Sequence, residues 1–247
     1  MDAGDLVASL QPFTKIYMMT SILTSIIVSL KIIPPVTLAA FSVPSDYWKL
    51  WKLPASLTYR GPFSLNYIFN LVFFYMTINP LERNFVPTFY GEFLMLLSFV
   101  FVSCFSLGSL INWGGYFVIS KSFSFALTYI YCKKFPSDSI ILFFVLKVKT
   151  AYYPFATMAV SILMGDNWKH YVIGLIVGHF YIFLKEVLPI SHRKNFLKTP
   201  LFMTKLGQFI IQKFVFGNPA QPENLNRFQA NNPQANDEAA FRPFAGR

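Results

Sequence analysis

The stretch FLMLLSFVFVSCFSLGSLI at residues 93–111 decides the fold class, because it runs for 19 residues without a charged side chain. An α-helix rises about 1.5 Å per residue, so roughly 20 apolar residues can cross the hydrocarbon layer of a bilayer. Similar segments lie on both sides of it, at residues 16–33, 62–78, 116–132, 151–164 and 171–188. The sequence therefore predicts an all-α membrane protein with six spanning helices.

The composition is typical of a protein that folds in a lipid bilayer. Of the 247 residues, 54% are hydrophobic and only 13% are charged, whereas a soluble domain usually carries about 25% charged residues. The net charge of +10 is compatible with a nucleic-acid binder. We exclude that class because the basic residues lie between apolar runs and do not form a stripe interleaved with aromatics.

Six spans place both termini on one side of the membrane, and the distribution of basic residues indicates which side that is. The basic residues on the side shared with the termini are Lys133, Lys134, Lys147, Lys149, Arg193, Lys194 and Lys198, and those on the opposite side are Lys49, Lys52, Arg60 and Lys169. Cytosolic loops carry an excess of Lys and Arg, which predicts cytosolic termini. Asp2 and Asp5 precede the first run, where a cleavable signal would be basic, so we expect that run to be retained.

The segments outside the six spans divide the chain into three parts. Residues 1–195 form the predicted membrane domain, in which residues 41–61 and 140–146 are expected to lie in the membrane interface. Residues 196–216 are amphipathic, because Leu201, Phe202, Leu206, Phe209, Ile210 and Phe214 recur at helical spacing. We expect this helix to lie on the membrane surface. Residues 217–247 lack the apolar content to fold, which predicts a disordered tail.

Polar side chains within the apolar runs are candidates for a structural or functional role, because placing a polar group in a membrane costs free energy. Asn66 and Asn70 are four residues apart and share a helix face, which fits either hydrogen bonds between helices or a transport role. His179 fits either a packed residue or a catalytic base. Gly174 and Gly178 have the GxxxG spacing that allows two helices to approach closely.

Cysteine and histidine usage excludes several site classes. Cys104 and Cys132 lie within or beside apolar runs, and the sequence contains neither a CxxC motif nor a Cys/His cluster. A disulfide framework and a zinc site are therefore not expected. We predict no metal and no cofactor.

Several stretches together resemble a known family. They are GHFYIFLKEVLP at 178–189, FSLNYIFN at 63–70, Leu81-Glu82, WKLP at 51–54 and AYYP at 151–154. Their order and spacing between about residues 10 and 200 resemble the derlins, which are rhomboid-like pseudoproteases. Trp51 and Lys52 correspond to the family's Trp-Arg motif with lysine in place of arginine. Lys185 stands where derlins are usually acidic, which suggests a divergent member.

The resemblance implies a rhomboid-like six-span fold in the endoplasmic reticulum membrane, with both termini cytosolic. It also implies a part in removing misfolded proteins from that compartment for degradation. The implied partners are misfolded clients, a membrane ubiquitin ligase complex, a cytosolic hexameric AAA ATPase, membrane lipid and further derlin copies in a homo- or hetero-oligomer. Nucleic acid is not among them.

Catalysis is not expected from this chain. Active rhomboids carry Gly-x-Ser-Gly on the fourth span, whereas Ser122 and Ser124 are followed by phenylalanines and have no neighbouring glycine. His179 then has no evident nucleophile, and we assign no catalytic residue. Derlin tails that bind the ATPase are also Gly-rich. The end of this chain keeps Phe241, Phe244 and Gly246 without that glycine spacing, which implies weak recruitment at most.

The predicted mechanism is the passage of a client polypeptide through the membrane and not a chemical reaction. Short spans favour local thinning of the bilayer, and a polar groove lowers the cost of moving peptide groups through lipid. The residues assigned to the groove or to the fold motif are Trp51, Lys52, Asn66, Asn70, Glu82, Ser122, Ser124 and His179. Three alternatives stay open at this point: an intramembrane serine protease, a lipid or small-molecule transporter, and a non-channel adaptor of a ligase complex.

Overall fold

The computed structural model describes residues 10–38, 52–86, 89–111, 118–142, 146–188 and 199–214. The helices are α1 Pro12–Ser29, α2 Pro35–Leu38, α3 Lys52–Thr58, α4 Leu65–Arg83, α5 Tyr90–Ile111, α6 Ile119–Lys134, α7 Tyr153–Leu163, α8 Trp168–Ile182 and α9 Leu201–Phe214. One π-helical turn, Phe183–Val187, continues α8. The predicted helical architecture is confirmed. Trp51, the tail residues Phe241, Phe244 and Gly246, and most of the predicted interface segment 41–61 lie outside the described residues.

The six apolar runs correspond to α1 and α4 to α8, with shifted ends. Two helices among the described residues, Tyr90–Ile111 and Trp168–Val187, are long and apolar enough to cross a membrane by length and composition. The arrangement of six spans stays a prediction. We expected the second run to end at Pro80, but α4 continues to Arg83. Leu81 and Glu82 are fully buried beyond the proline, and their packing offsets the hydrogen bond that Pro80 cannot donate.

α6 is the central helix of the bundle, because it is buried on almost every side. The tightest contact is with α8. A Cβ atom placed on Gly174 would lie 2.6 Å from the backbone oxygen of Ser122, and one on Gly178 would lie 3.0 Å from that of Ala126. Thr77 of α4 hydrogen bonds to Thr128 of α6 at 3.0 Å between the hydroxyl oxygens. The two glycines therefore let the α6 and α8 backbones meet without intervening side chains.

A carboxylate from α4 fixes the start of α1. Glu82 is fully buried and accepts hydrogen bonds from the backbone N–H groups of Phe13 at 2.7 Å and Thr14 at 2.8 Å. The hydroxyls of Thr14 and Tyr90 donate to it as well, both at 2.8 Å. The first N–H groups of a helix lack partners within the helix. Glu82 thus caps α1 from a distant position, and negative charge is favourable there.

A short antiparallel β-pair accompanies the predicted helical architecture. Ser139–Leu142 (β1) pairs antiparallel with Leu146–Lys149 (β2), where we predicted an interfacial piece at residues 140–146. Lys147 and Lys149 are exposed and flank the partly buried Val148. Alternation with a period of two residues belongs to a strand. Four residues per strand are too few for this pattern to stand out against the apolar surroundings.

The amphipathic helix forms over Leu201–Phe214, within the predicted residues 196–216, and its place on a membrane surface stays a prediction. Part of its apolar face is buried, because Ile211 is 4% exposed and packs in the hydrophobic core. Leu201 is 81% exposed and Phe202 is 70% exposed. A Cβ atom on Gly207 would lie only 2.6 Å from the backbone nitrogen of Gly91. α9 therefore meets α5 at two facing glycines, buries Ile211 in the core and leaves side chains such as Leu201 and Phe202 exposed.

Candidate functional site

Polar side chains from four parts of the chain converge where α4, α6 and α8 begin. Ser64 caps α4 by accepting a hydrogen bond from the backbone N–H of Tyr67, so Asn66 and Asn70 fall on the first two turns. Lys121 and Ser124 lie on the first turns of α6. Asp166 precedes Asn167, which caps α8. Because these helices all start at one end of the bundle, their first polar residues meet.

Asp166 is the centre of this cluster. Its Oδ1 accepts hydrogen bonds from Asn66 Nδ2 at 2.8 Å and from Lys121 Nζ at 2.5 Å. Its Oδ2 accepts from Tyr171 Oη at 2.5 Å and from Asn70 Nδ2 at 3.3 Å. Burial by itself raises the pKa of Asp166, but the nearby Lys121 ammonium and these hydrogen bonds outweigh it and leave the pKa below its usual value. The carboxylate is therefore ionised at neutral pH.

Arg60 reaches the same region from the segment after α3. Its side chain is 4% exposed, and it donates to the backbone oxygen of Asn70 at 3.1 Å and to Ser124 Oγ at 2.5 Å. The guanidinium carbon lies 4.3 Å from the centre of the Phe74 ring. A cation over an aromatic face is favourable, especially away from water. Arg60 therefore ties the start of α4 to α6 in largely dry surroundings.

A cleft opens beside this cluster. It has a volume of about 420 Å³, and Arg60, Asn66, Asn70, Lys121 and Asp166 are among its lining residues. Such a volume lies within the range of small-ligand pockets, about 300–1,000 Å³. The lining also includes the apolar side chains of Pro62, Leu65 and Met164. The arrangement can bind a polar or charged group while the rest of the ligand stays in apolar surroundings.

The residues predicted for the groove fall into separate places. Asn66, Asn70 and Ser124 meet in the cluster, whereas Glu82 caps α1. Ser122 is fully buried, and its Oγ has no hydrogen-bond partner among the described residues. Lys52 is buried at the start of α3.

His179 lies apart from the polar cluster around Asp166. It is exposed and lies eight residues beyond Tyr171 on α8, which is about 12 Å along a helix. Its Nδ1 is 3.1 Å from Tyr129 Oη. The Ser124 hydroxyl donates to the backbone oxygen of Ser120. The structure therefore does not bring His179 within hydrogen-bond distance of Ser122 or Ser124, as a Ser–His nucleophile and base would require.

Analysis of the sequence did not predict that the charged residues of the cluster belong to a site. Arg60 was noted only for its charge, and neither Lys121 nor Asp166 was assigned to a site. A usable signal was present, because Lys121 and Asp166 both lie at the edge of an apolar run. Among the described residues, no group of three or more His, Cys, Asp or Glu could hold a metal ion.

Comparison with known proteins agrees with this architecture. The model of the Der1-like family matches residues 10–201. Derlin-1 of Arabidopsis thaliana is 28% identical over 204 residues, which cover 82% of this chain and 76% of that protein. Derlin-1 of Oryza sativa subsp. japonica is 26% identical over 224 residues, 88% of this chain and 90% of that protein.

A second type of derlin is also similar. Derlin-2.2 of Arabidopsis thaliana is 27% identical over 202 residues, which cover 78% of this chain and 83% of that protein. The family match spans the bundle from α1 to the start of α9 and so includes the whole polar cluster. The chain belongs to the Der1-like family, whose derlins are membrane proteins.

Proposed function

We propose that this chain is a derlin-like component of endoplasmic-reticulum-associated degradation, with both termini in the cytosol. It binds misfolded polypeptides and assists their passage to the cytosol along a polar groove. The observation that carries the proposal is the cluster around Asp166, which places several polar and charged side chains inside an otherwise apolar bundle. Hydrogen bonds link these groups to one another, and the adjoining cleft offers room for a client segment.

The lengths of the helices support local thinning of the membrane. α7 has 11 residues, so it is about 16 Å long at 1.5 Å per residue. The hydrocarbon layer of a typical bilayer is about 30 Å thick. A short hydrophobic element is accommodated by thinning the bilayer around it, at a cost of fractions of a kcal/mol per Å. A thinner layer shortens the apolar distance that a client must cross.

The proposal is non-enzymatic. A serine protease needs a base beside its nucleophile, but His179 is hydrogen bonded to Tyr129, and Ser124 is bonded to Arg60 and to the backbone of Ser120. The roles of client conduit and of ligase adaptor are compatible in one protein. The cleft favours direct client binding over a purely structural adaptor.

Degradation of a client tests the groove directly. Cells depleted of their own Der1-like proteins would express this chain or its variant N66L/N70L, and the half-life of a misfolded luminal protein would be followed after synthesis is stopped. We expect the variant to leave the client nearly as stable as it is without the chain. S106A is the matched control, because the Ser106 hydroxyl is exposed and bonds only within its own helix, to Val102.

The result is interpreted at equal abundance of the two variants in the membrane. Normal client turnover with N66L/N70L would refute the groove, whereas slow turnover with S106A would point to a general effect of losing a hydroxyl.

The proposed partners need a separate experiment. The full chain and a chain truncated after Gly217 would be isolated from gently solubilised membranes and their bound proteins identified. We expect a membrane ubiquitin ligase with both forms. Loss of an AAA ATPase on truncation alone would assign recruitment to the tail with Phe241, Phe244 and Gly246. Absence of both partners from the full chain would refute the degradation role.

A further inference from the structure

The cleft beside Asp166 carries more positive than negative charge. Its charged lining residues are two cations, Arg60 and Lys121, and one carboxylate, Asp166. Two positive charges and one negative charge leave a net charge of +1 in the cleft. Lys121 and Asp166 neutralise each other through their ion pair at 2.5 Å. The excess charge is therefore that of Arg60.

Arg60 has only neutral partners. It donates to a backbone oxygen and to the Ser124 hydroxyl, and its guanidinium lies over the rings of Phe74 and Tyr17. Among the described residues it pairs with no carboxylate, and its Nε has no hydrogen-bond partner. A buried charge is costly unless an opposite charge accompanies it. The guanidinium thus favours the entry of an anionic group into the cleft.

The same cluster already binds one carboxylate. Donors from three helices, Asn66 and Asn70 on α4, Lys121 on α6 and Tyr171 on α8, surround the two oxygens of Asp166. The Lys121 ammonium has three donors, and Asp166 uses one of them. Its side chain is 19% exposed, so further donors can face the cleft. The chemistry that holds Asp166 is therefore available to a second carboxylate beside it.

We propose that the cleft binds an acidic side chain of a client polypeptide, with Arg60 and Lys121 as its cationic anchors. This inference rests on the proposed function, because it assigns a chemical class to the client segment. Lipid phosphate carries a similar charge, but the cluster's donors are arranged around a planar carboxylate. Polypeptide is therefore the occupant to which the inference commits, and lipid is an outcome of the test.

The test uses the full chain in phosphatidylcholine nanodiscs. Short unfolded peptides carry one photo-crosslinking residue and one test residue, which is Glu, Gln or Lys. We expect the Glu peptide to crosslink about five-fold more than the Gln peptide, the upper end for a solvent-screened ion pair. The Lys peptide should crosslink least. The preference for Glu should weaken as salt is raised.

Three variants separate the charges of the cleft from the charge of its surroundings. D166N removes the competing carboxylate, so the preference for Glu should rise above that of the parent chain. K121Q/D166N removes both partners of the ion pair without leaving a lone charge, and the preference should fall below that of D166N. K169Q removes one exposed positive charge near the start of α8, outside the lining of the cleft, and should leave the preference unchanged.

Each outcome decides between stated alternatives. Equal crosslinking of the Glu and Gln peptides would overturn the acidic preference while leaving client binding intact. No crosslinking of any peptide would instead refute the proposed function itself. If the Glu preference is absent and D166N increases retention of an anionic phospholipid added to the nanodiscs, the cleft is a lipid headgroup site. A fall in the Glu preference from the parent to K169Q as large as the fall from D166N to K121Q/D166N would show that only overall charge matters, because each step removes one positive charge.

Discussion

Replacing Glu82 with alanine should destabilise the bundle more than any single change of a surface charge. The carboxylate is fully buried and accepts four hydrogen bonds, two from backbone groups at the start of α1 and two from the hydroxyls of Thr14 and Tyr90. Alanine removes the acceptor and leaves four donors without it. The affected donors join the first helix to α4 and α5, so the loss is not local to one helix.

The magnitude follows from these contacts. Each hydrogen bond to a charged group contributes about 1.5–3 kcal/mol, and the loss of a helix cap costs about 1 kcal/mol. These values are not additive, because the donors can partly find water. Removal of one partner from a buried charged network usually costs about 3–5 kcal/mol. At roughly 2–4 °C per kcal/mol for a chain of this size, E82A should unfold about 10 °C below the parent.

Thermal unfolding of the detergent-solubilised full chain measures this difference. E92A is the matched control, since Glu92 is partly exposed and pairs with Lys185 at 3.2 Å, which predicts a loss below about 1 kcal/mol. Y90F should cost about 1 kcal/mol in the parent. In the E82A background it should cost almost nothing, because the Tyr90 hydroxyl has already lost its acceptor.

Two results would refute the reasoning. If E82A keeps the parent's midpoint within the shift produced by E92A, the four hydrogen bonds do not stabilise the start of α1. Y90F could also cost the same in both backgrounds. That second result would mean that Tyr90 acts through its ring packing and not through its bond to Glu82.

Three further changes have defined outcomes. G174L forces a side chain into the 2.6 Å approach to the Ser122 backbone and should lower the free energy of unfolding by about 3 kcal/mol, measured by thermal unfolding. G207V should release α9 from Gly91, which limited proteolysis at residues 199–214 detects. The pKa of Asp166 is lower in the folded chain than its unfolded value of about 3.9. The ionised Asp166 therefore stabilises the fold fully above that unfolded value, and this contribution is lost as the pH falls through the folded pKa. Unfolding midpoints of the parent and D166N, measured across pH, report this contribution.

Controls separate these effects from general damage. I176V changes an exposed position on α8 and should leave the midpoint unchanged, so an equal loss in G174L would contradict the role of close packing. Q208A lies beside Gly207 but points to the exposed side of α9, and its cleavage should match that of the parent. The pH argument fails if the parent and D166N keep the same difference down to pH 2.

The sequence was sufficient for the helical architecture and for the family. Hydropathy is a local property, and a run such as residues 93–111 predicts a helix regardless of what it packs against. The corresponding helix is Tyr90–Ile111. The spacing of Gly174 and Gly178 likewise predicted a close helix approach, because four residues return to the same helix face. Motif order carried the resemblance to derlins in the same way, without knowledge of any contact.

The partners of the polar residues required the tertiary structure. Asn66 and Asp166 are 100 residues apart in the chain, and nothing local to either one indicates the other. Glu82 could be recognised as part of a Leu-Glu motif, but its role as the cap of α1 depends on how α1 packs. His179 lies on a predicted helix, yet only the rotation of α8 against α6 decides that it meets Tyr129 and not the serines.

Sequence by itself therefore determined which segments are helical and which family they form, because those depend on composition and short-range periodicity. Tertiary structure alone decided that Arg60, Lys121 and Asp166 share one cleft, that α9 meets α5 at Gly207 and that β1 pairs with β2. The physical reason is the range of the interactions. Hydrogen bonds, ion pairs and backbone contacts act over a few ångströms, and the residues that make them are brought together only by the packing of the whole bundle.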